Sequence, residues 1–311
     1  MTLLRRQVLT VVALLFALSA GIALGGGPLS YVAADDDSAA GEEPRGPDET
    51  TPPPDDETAT PSTSFADAFA AAAARRLYDE ALLGHPSVIV AMPGVEAESV
   101  EAMVAQVAAA GGGLTGVFRV TEEAIDRDET SLVDSLGSQL MTQLDDERVD
   151  PEAATYVRMG QLMALAFATP DTNGTRADTA AQTIRASLAA GGLLTSPEGA
   201  RLAPMVMVLL PPQEELEPDD ALAQGSVYAG LITGMRAHAL GMVLLGDTAS
   251  GRDGLLAQLR REELVAGTMA TVDGGDTVLG QVTAMLALIA TLDGTVGSYG
   301  ASGSDGAVTI S

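Results

Sequence analysis

The sequence predicts an α/β fold: a three-layer domain on a mostly parallel sheet of about five strands, in the Rossmann or flavodoxin style. Three observations predict it. Short, wholly apolar, β-branched runs recur, of which Ser87–Met92 (SVIVAM) and Met205–Leu210 (MVMVLL) are the clearest, and strands of that kind are buried on both faces. Segments with helical spacing of apolar residues separate those runs. Finally, Ser87–Met92, a helix over Ala97–Ala110 and a strand over Leu114–Val120 form one strand–helix–strand unit, whose connection favours parallel pairing with a right-handed crossover. Strand order has no sequence signature, and no internal repeat is visible.

The chain before this domain reads as an anchor and a tether. Val8–Gly25 carries no charge; at about 1.5 Å per residue it spans roughly 27 Å, the low end of what crosses a bilayer. Arg5 and Arg6 precede it and Asp35–Asp37 follow, so the positive-inside bias leaves residues 1–7 in the cytoplasm and the bulk of the chain outside. A cleaved secretory signal has the same charge order, with small residues at Val32–Ala34; the apolar run exceeds the usual signal core, which favours a retained single-pass anchor over 8–25. Residues 26–63 are dominated by Asp, Glu, Pro, Thr, Ser and Gly. Such a segment buries too little apolar surface to offset the entropy of ordering, so a disordered acidic, Pro-rich linker is expected.

Composition limits the function classes. Net charge is −27 and all sixteen basic residues are Arg, a balance that repels nucleic acid and anionic lipid surfaces. There is no cysteine, which removes disulfides, thiolate metal sites and Cys nucleophiles together. Aromatics are 3% of the chain and Trp is absent, so aliphatic side chains, Ala and Met must fill the core.

Within the outer domain, 64–300, a helix over Phe65–Leu83 is expected, with Ser64 and Asp67 as a capping pair and Gly84 as terminator. His85, between Gly84 and Pro86, then sits at that helix's C-terminal end, where an imidazole is favoured. After the strand–helix–strand unit come helices over Ser131–Leu144, Pro151–Ala168 and Arg176–Ala190. Asp150 followed by Pro151 reads as a cap and first helical position, and Gly191-Gly192 closes the third helix. Strands over Met205–Leu210, Gly241–Leu245 and Thr268–Val272 alternate with helices over Ala223–Ala239, Arg252–Glu262 and Asp276–Leu292. Residues 301–311 form a C-terminal tail.

Catalytic signatures are absent from the sequence. It contains no G-x-S-x-G, P-loop or H-E-x-x-H. Gly111–Gly113 follows a helix, whereas a dinucleotide-binding loop follows a strand and opens a helix. The chain reads as a non-enzyme. Acidic pairs at Asp145-Asp146, Glu214-Glu215 and Asp219-Asp220 read as solvated loop charge, and Asp171–Gly174 as a turn without the spaced ligands of a calcium loop.

Three stretches carry a resemblance: Leu3–Gly27, Ala81–Asp126 and Ala270–Gly300, the last running into the Gly-rich ending GTVGSYGAS (Gly294–Ser302). Together they resemble the actinobacterial copper transport protein family, the MctB-like proteins. The resemblance implies a cell-envelope protein in copper efflux and copper homeostasis, in a family described as channel-forming. The heptad-bearing helix expected after a family anchor is replaced here by the acidic Asp35–Thr63 segment. The short apolar strands, separated by helices, do not have the alternating pattern of a membrane β-barrel.

Copper then becomes the ion to look for, with no other cofactor expected. Copper(I) favours thioether and imidazole ligands where thiolate is absent. Met235, His238 and Met242 form the candidate metal set, because Met235 and His238 are three apart and share a helical face. Met159 with Met163, and Met205 with Met207, are weaker pairs. Core packing is the competing reading for each, since Met fills irregular cores poor in aromatics. The expected partners are the membrane, through one N-terminal anchor, and a homo-oligomer or an envelope protein. An anchored scaffold or partner-binding module without transport activity is the alternative function.

Overall fold

A computed structural model describes residues 61–144, 148–213 and 217–309. The expected anchor, the linker and the acidic pairs Asp145-Asp146 and Glu214-Glu215 lie outside those residues. Contacts divide the chain into a short unit, Met1–Ala66, and a large one, Asp67–Ser311. Only residues 61–66 of the first are described, and they open helix α1 (Pro61–Tyr78).

The large unit is a three-layer α/β domain. Its elements run β1 (Ser87–Ala91), α2 (Ala97–Ala109), β2 (Leu114–Val120), α3 (Thr130–Leu144), α4 (Thr155–Phe167), α5 (Thr179–Ala190), β3 (Leu194–Thr195) and β4 (Met205–Leu209). They continue with α6 (Pro218–Arg236), β5 (Gly241–Leu245), α7 (Thr248–Arg252), α8 (Leu255–Leu259), α9 (Glu263–Ala266), β6 (Ala270–Val272), α10 (Val278–Ala290) and β7 (Ser298–Tyr299). The sheet order is β3-β2-β1-β4-β5-β6-β7. All neighbours are parallel except β2 and β3.

Strand alternation splits the core in two. Val88, Val90, Val206, Val208 and Leu244 point to one face, packed under α3, α4, α5, α6 and the α8–α9 segment. Ile89, Ala91, Met207, Val243 and Val272 point to the other, under α1, α2 and α10. Every residue of β1, β4 and β5 is buried, as wholly apolar strands require.

The closest helix crossing is α4 on α6, and glycine makes it possible. A Cβ at Gly160 would lie 2.1 Å from the Leu231 carbonyl oxygen, and one at Gly234 2.1 Å from the Val157 carbonyl oxygen. Only bare Cα atoms let the two backbones approach this far.

Several expectations are corrected. The sheet has seven strands rather than five, because β3 and β7 are two-residue edge strands. α1 ends at Tyr78, so His85 stands before β1, beyond the turns of residues 79–84, and not at a helix end. Asp67 does not cap its own helix; its carboxylate accepts from Leu279 N, 3.2 Å away in the first turn of α10. Asp150 does not start α4, because its carboxylate accepts from Glu152 N in a local turn, and α4 begins at Thr155. Asp219 and Asp220 lie in the first turn of α6 rather than in a loop, where carboxylates complement the helix dipole. The single helix expected over Arg252–Glu262 is broken into short pieces. Asp247 caps α7 by accepting from Ser250 N, and the Ser250 hydroxyl accepts from Leu256 N in α8.

Candidate functional site

In an open parallel sheet, the crevice outside the carboxyl ends of the strands lies where the chain winds in opposite directions from neighbouring strands. Here that point is between β1 and β4, since β2 follows β1 on one side and β5 follows β4 on the other. A cavity of about 1000 Å³ sits there. The β1 loop contributes Pro93 and Gly94, the β4 loop Pro211–Gln213, α6 Leu222 and Tyr228, and the α7–α8 region Asp253–Leu255 and Gln258.

The residues around this crevice differ from those of a phosphate-binding doubly wound fold. A phosphate at such a site is held by a free helix N-terminus. Helix α2 is instead preceded by Glu96 and carries Glu98 in its first turn, and α6 is preceded by Glu217 and carries Asp219 and Asp220 in its first turn. Carboxylates at these two helix starts disfavour a bound anion there. The described lining contains no Ser, Thr, His or Cys, so it offers no nucleophile–base pair.

A second polar centre lies at the carboxyl end of β6. Asp273, fully buried, pairs with Arg260 at 3.1 Å. The Ser302 backbone N–H and hydroxyl both donate to Asp273, at 3.0 and 2.8 Å. Arg260 also donates to the Tyr299 carbonyl at 2.7 Å and to the Thr271 hydroxyl at 3.1 Å. Gly300, at φ +109°, passes so close to Asp273 that a Cβ there would lie 1.9 Å from its Oδ1. The Gly-rich ending is thus a strap fastened to a buried ion pair. The strap is legible in the sequence as a Gly-rich ending; Arg260 is not, because its helical context gives no sign of a partner thirteen residues on.

The candidate metal residues divide between core and turn. Met235, in the last turn of α6, and Met242, on β5, are both fully buried and belong to one hydrophobic cluster. His238 is half-buried in the turn between them. Met159 and Met163 belong to the same cluster, and Met205 and Met207 to the cluster on the other face. No described methionine is exposed. Among the described residues, no group of three or more His, Cys, Asp or Glu is placed to hold a metal ion. The crevice offers carboxylate and amide oxygens, which suit hard cations better than copper(I).

Fold and crevice define a class: a doubly wound α/β domain with a mixed polar and apolar crevice at its topological switch point. The family described as "Copper transport outer membrane protein, MctB" matches residues 1–310, and the chain belongs to it. Copper transporter MctB of Mycobacterium tuberculosis (strain H37Rv) is 27% identical over 258 residues, 80% of each chain. Copper transporter MctB of Mycobacterium leprae is 27% identical over 252 residues, 76% of each chain. Among the described residues no helix is long and apolar enough to cross a membrane; the apolar Val8–Gly25 segment lies outside them.

Proposed function

We propose that this chain serves copper transport and copper homeostasis at the cell envelope, anchored by Val8–Gly25 with its α/β domain outside the cytoplasm. The observation that carries the reading is the family match over residues 1–310, which runs through the apolar N-terminal segment as well as the domain. The architecture narrows the role. An open sheet covered by helices on both faces encloses no lumen, so the α/β domain is an accessory to the path of the ion and not the path itself. Within this reading Met235, His238 and Met242 are the soft-donor set for copper(I).

The test is copper tolerance of the host. A deletion strain grows poorly under copper load, and the intact chain restores growth while a version without residues 1–34 does not. Equal growth of the deleted and parental strains contradicts the reading. The crevice favours a second reading, an anchored partner-binding module, under which copper tolerance is unchanged and an envelope partner is lost with the gene.

A further inference from the structure

The crevice at the head of the sheet supports an inference that stands whether or not the chain moves copper. We propose that it is a docking cleft for an extended, uncharged-to-basic peptide segment of a partner protein. Its floor is built in advance. A Cβ at Gly225 would lie 2.1 Å from Gln258 Nε2, and one at Gly254 1.7 Å from Gln213 Oε1. Because both positions are glycine, Gln258 lies across α6 and donates to the Leu222 carbonyl at 3.2 Å, and Gln213 accepts from Leu255 N at 3.2 Å. Both side chains are thereby held in place along the cleft, and the Gln258 amide, beyond its bond to the Leu222 carbonyl, still presents a carbonyl acceptor and a second N–H donor. A peptide backbone offers the complementary set.

The walls suit the same occupant. Pro93, Pro211, Pro212 and Pro218 line the cleft, giving rigid apolar surfaces that lose little freedom on binding. Leu222, 60% exposed, stands in the same lining as an apolar contact. Charge selects among peptides. Among the described lining residues Glu122 and Asp253 face a single cation, Arg261, on a chain of net charge −27. An acidic segment is repelled and a basic one drawn in. A glycan is the poorer fit, because the one aromatic in the lining, Tyr228, is only 1% exposed and has no free face for a sugar ring.

The experiment is selection of random twelve-residue peptides displayed on phage against the full-length chain in lipid nanodiscs. The strongest binders are then synthesised and titrated against three proteins: the intact chain, Leu222→Glu in the cleft, and Leu132→Glu on α3, away from the cleft. The expected result is a recurring apolar motif with Lys or Arg and no net negative charge. Its affinity falls at least tenfold with Leu222→Glu and is unchanged with Leu132→Glu, while both variants keep the parental circular dichroism spectrum. Absence of a recurring motif, enrichment of acidic peptides, or affinity insensitive to Leu222→Glu overturns the proposal. Binding to a glycan array without peptide enrichment overturns it as well. None of these outcomes bears on copper tolerance, which is measured separately.

Discussion

Arg260 and Asp273, thirteen residues apart, form a largely buried ion pair: the Asp273 side chain is wholly buried and that of Arg260 is 10% exposed. The pair joins α8's C-terminal end to β6, and through Ser302 and Tyr299 it fastens the last strand. Removing either partner leaves the other charged and buried, a change that costs about 3–5 kcal/mol. Asp273→Ala and Arg260→Ala should each lower the urea midpoint strongly. The double variant should be less destabilised than the sum of the two, because both single changes break one interaction. Additive losses would show that the pair is not coupled.

The α4–α6 crossing makes a second prediction. Gly160→Ala and Gly234→Ala each drive a methyl group into a backbone carbonyl on the facing helix. The helices must separate, at a cost of about 1–3 kcal/mol in overpacking alone. Gly192→Ala is a control for glycine loss without a clash, since nothing lies within 4 Å of its Cβ position; its effect comes from its φ of +71° alone. Thermal unfolding of the three variants separates steric from backbone effects.

Tyr78 sets a limit on alkaline stability. Burial pushes its phenol well above the ordinary tyrosine range, and its hydroxyl donates to Gln106 Oε1. Above pH about 10 the unfolded chain releases this proton while the folded chain retains it, so folding stability is present below that pH and falls as pH rises through it. Tyr78→Phe should lower stability at neutral pH by about 1 kcal/mol through the lost hydrogen bond and flatten the decline above pH 10. An unchanged alkaline slope would assign the decline to other groups.

Asp67 ties α1 to the first turn of α10 by accepting from Leu279 N, beside the Thr277 cap that accepts from Gly280 N. Asp67→Ala should cost about 1 kcal/mol, as expected for a lost N-terminal acceptor with a favourable charge. Asp67→Asn, which keeps an acceptor and removes the charge, should cost less. Equal losses would make charge the whole effect.

The metal set can be tested at constant packing. Met235→Leu and Met242→Leu conserve volume and should each cost less than about 1.5 kcal/mol. With copper held by these thioethers, the double variant loses copper tolerance while remaining folded. Unchanged tolerance assigns both residues to the core they fill.

What could be read from the sequence follows the range of the forces involved. β1, α2 and β2 are legible because Ser87–Ala91 is an apolar run set between prolines, because Leu114–Val120 is rich in β-branched and aromatic residues and follows a glycine triplet, and because Val100, Met103 and Val107 repeat at helical spacing. β3 and β7 were not legible, since two residues carry no periodicity and owe their state to a neighbour far along the chain. The break in Arg252–Glu262 was hidden for the same reason: Ser250 and Asp273, which fix its turns, lie outside it. Asp150-Pro151 carried a genuine local signal that a competing turn at Glu152 overrode. The crevice escaped because Pro93, Gln213 and Gln258 are far apart in sequence and meet only once the strand order is known.

Total cellular copper under copper load, compared in the host with and without this gene, decides whether the chain serves copper transport. A transport role requires excess copper in the deletion strain, returned to the parental level by the intact chain and not by one lacking residues 1–34. Equal copper in the two strains would contradict a transport role and leave the partner-binding domain as the function.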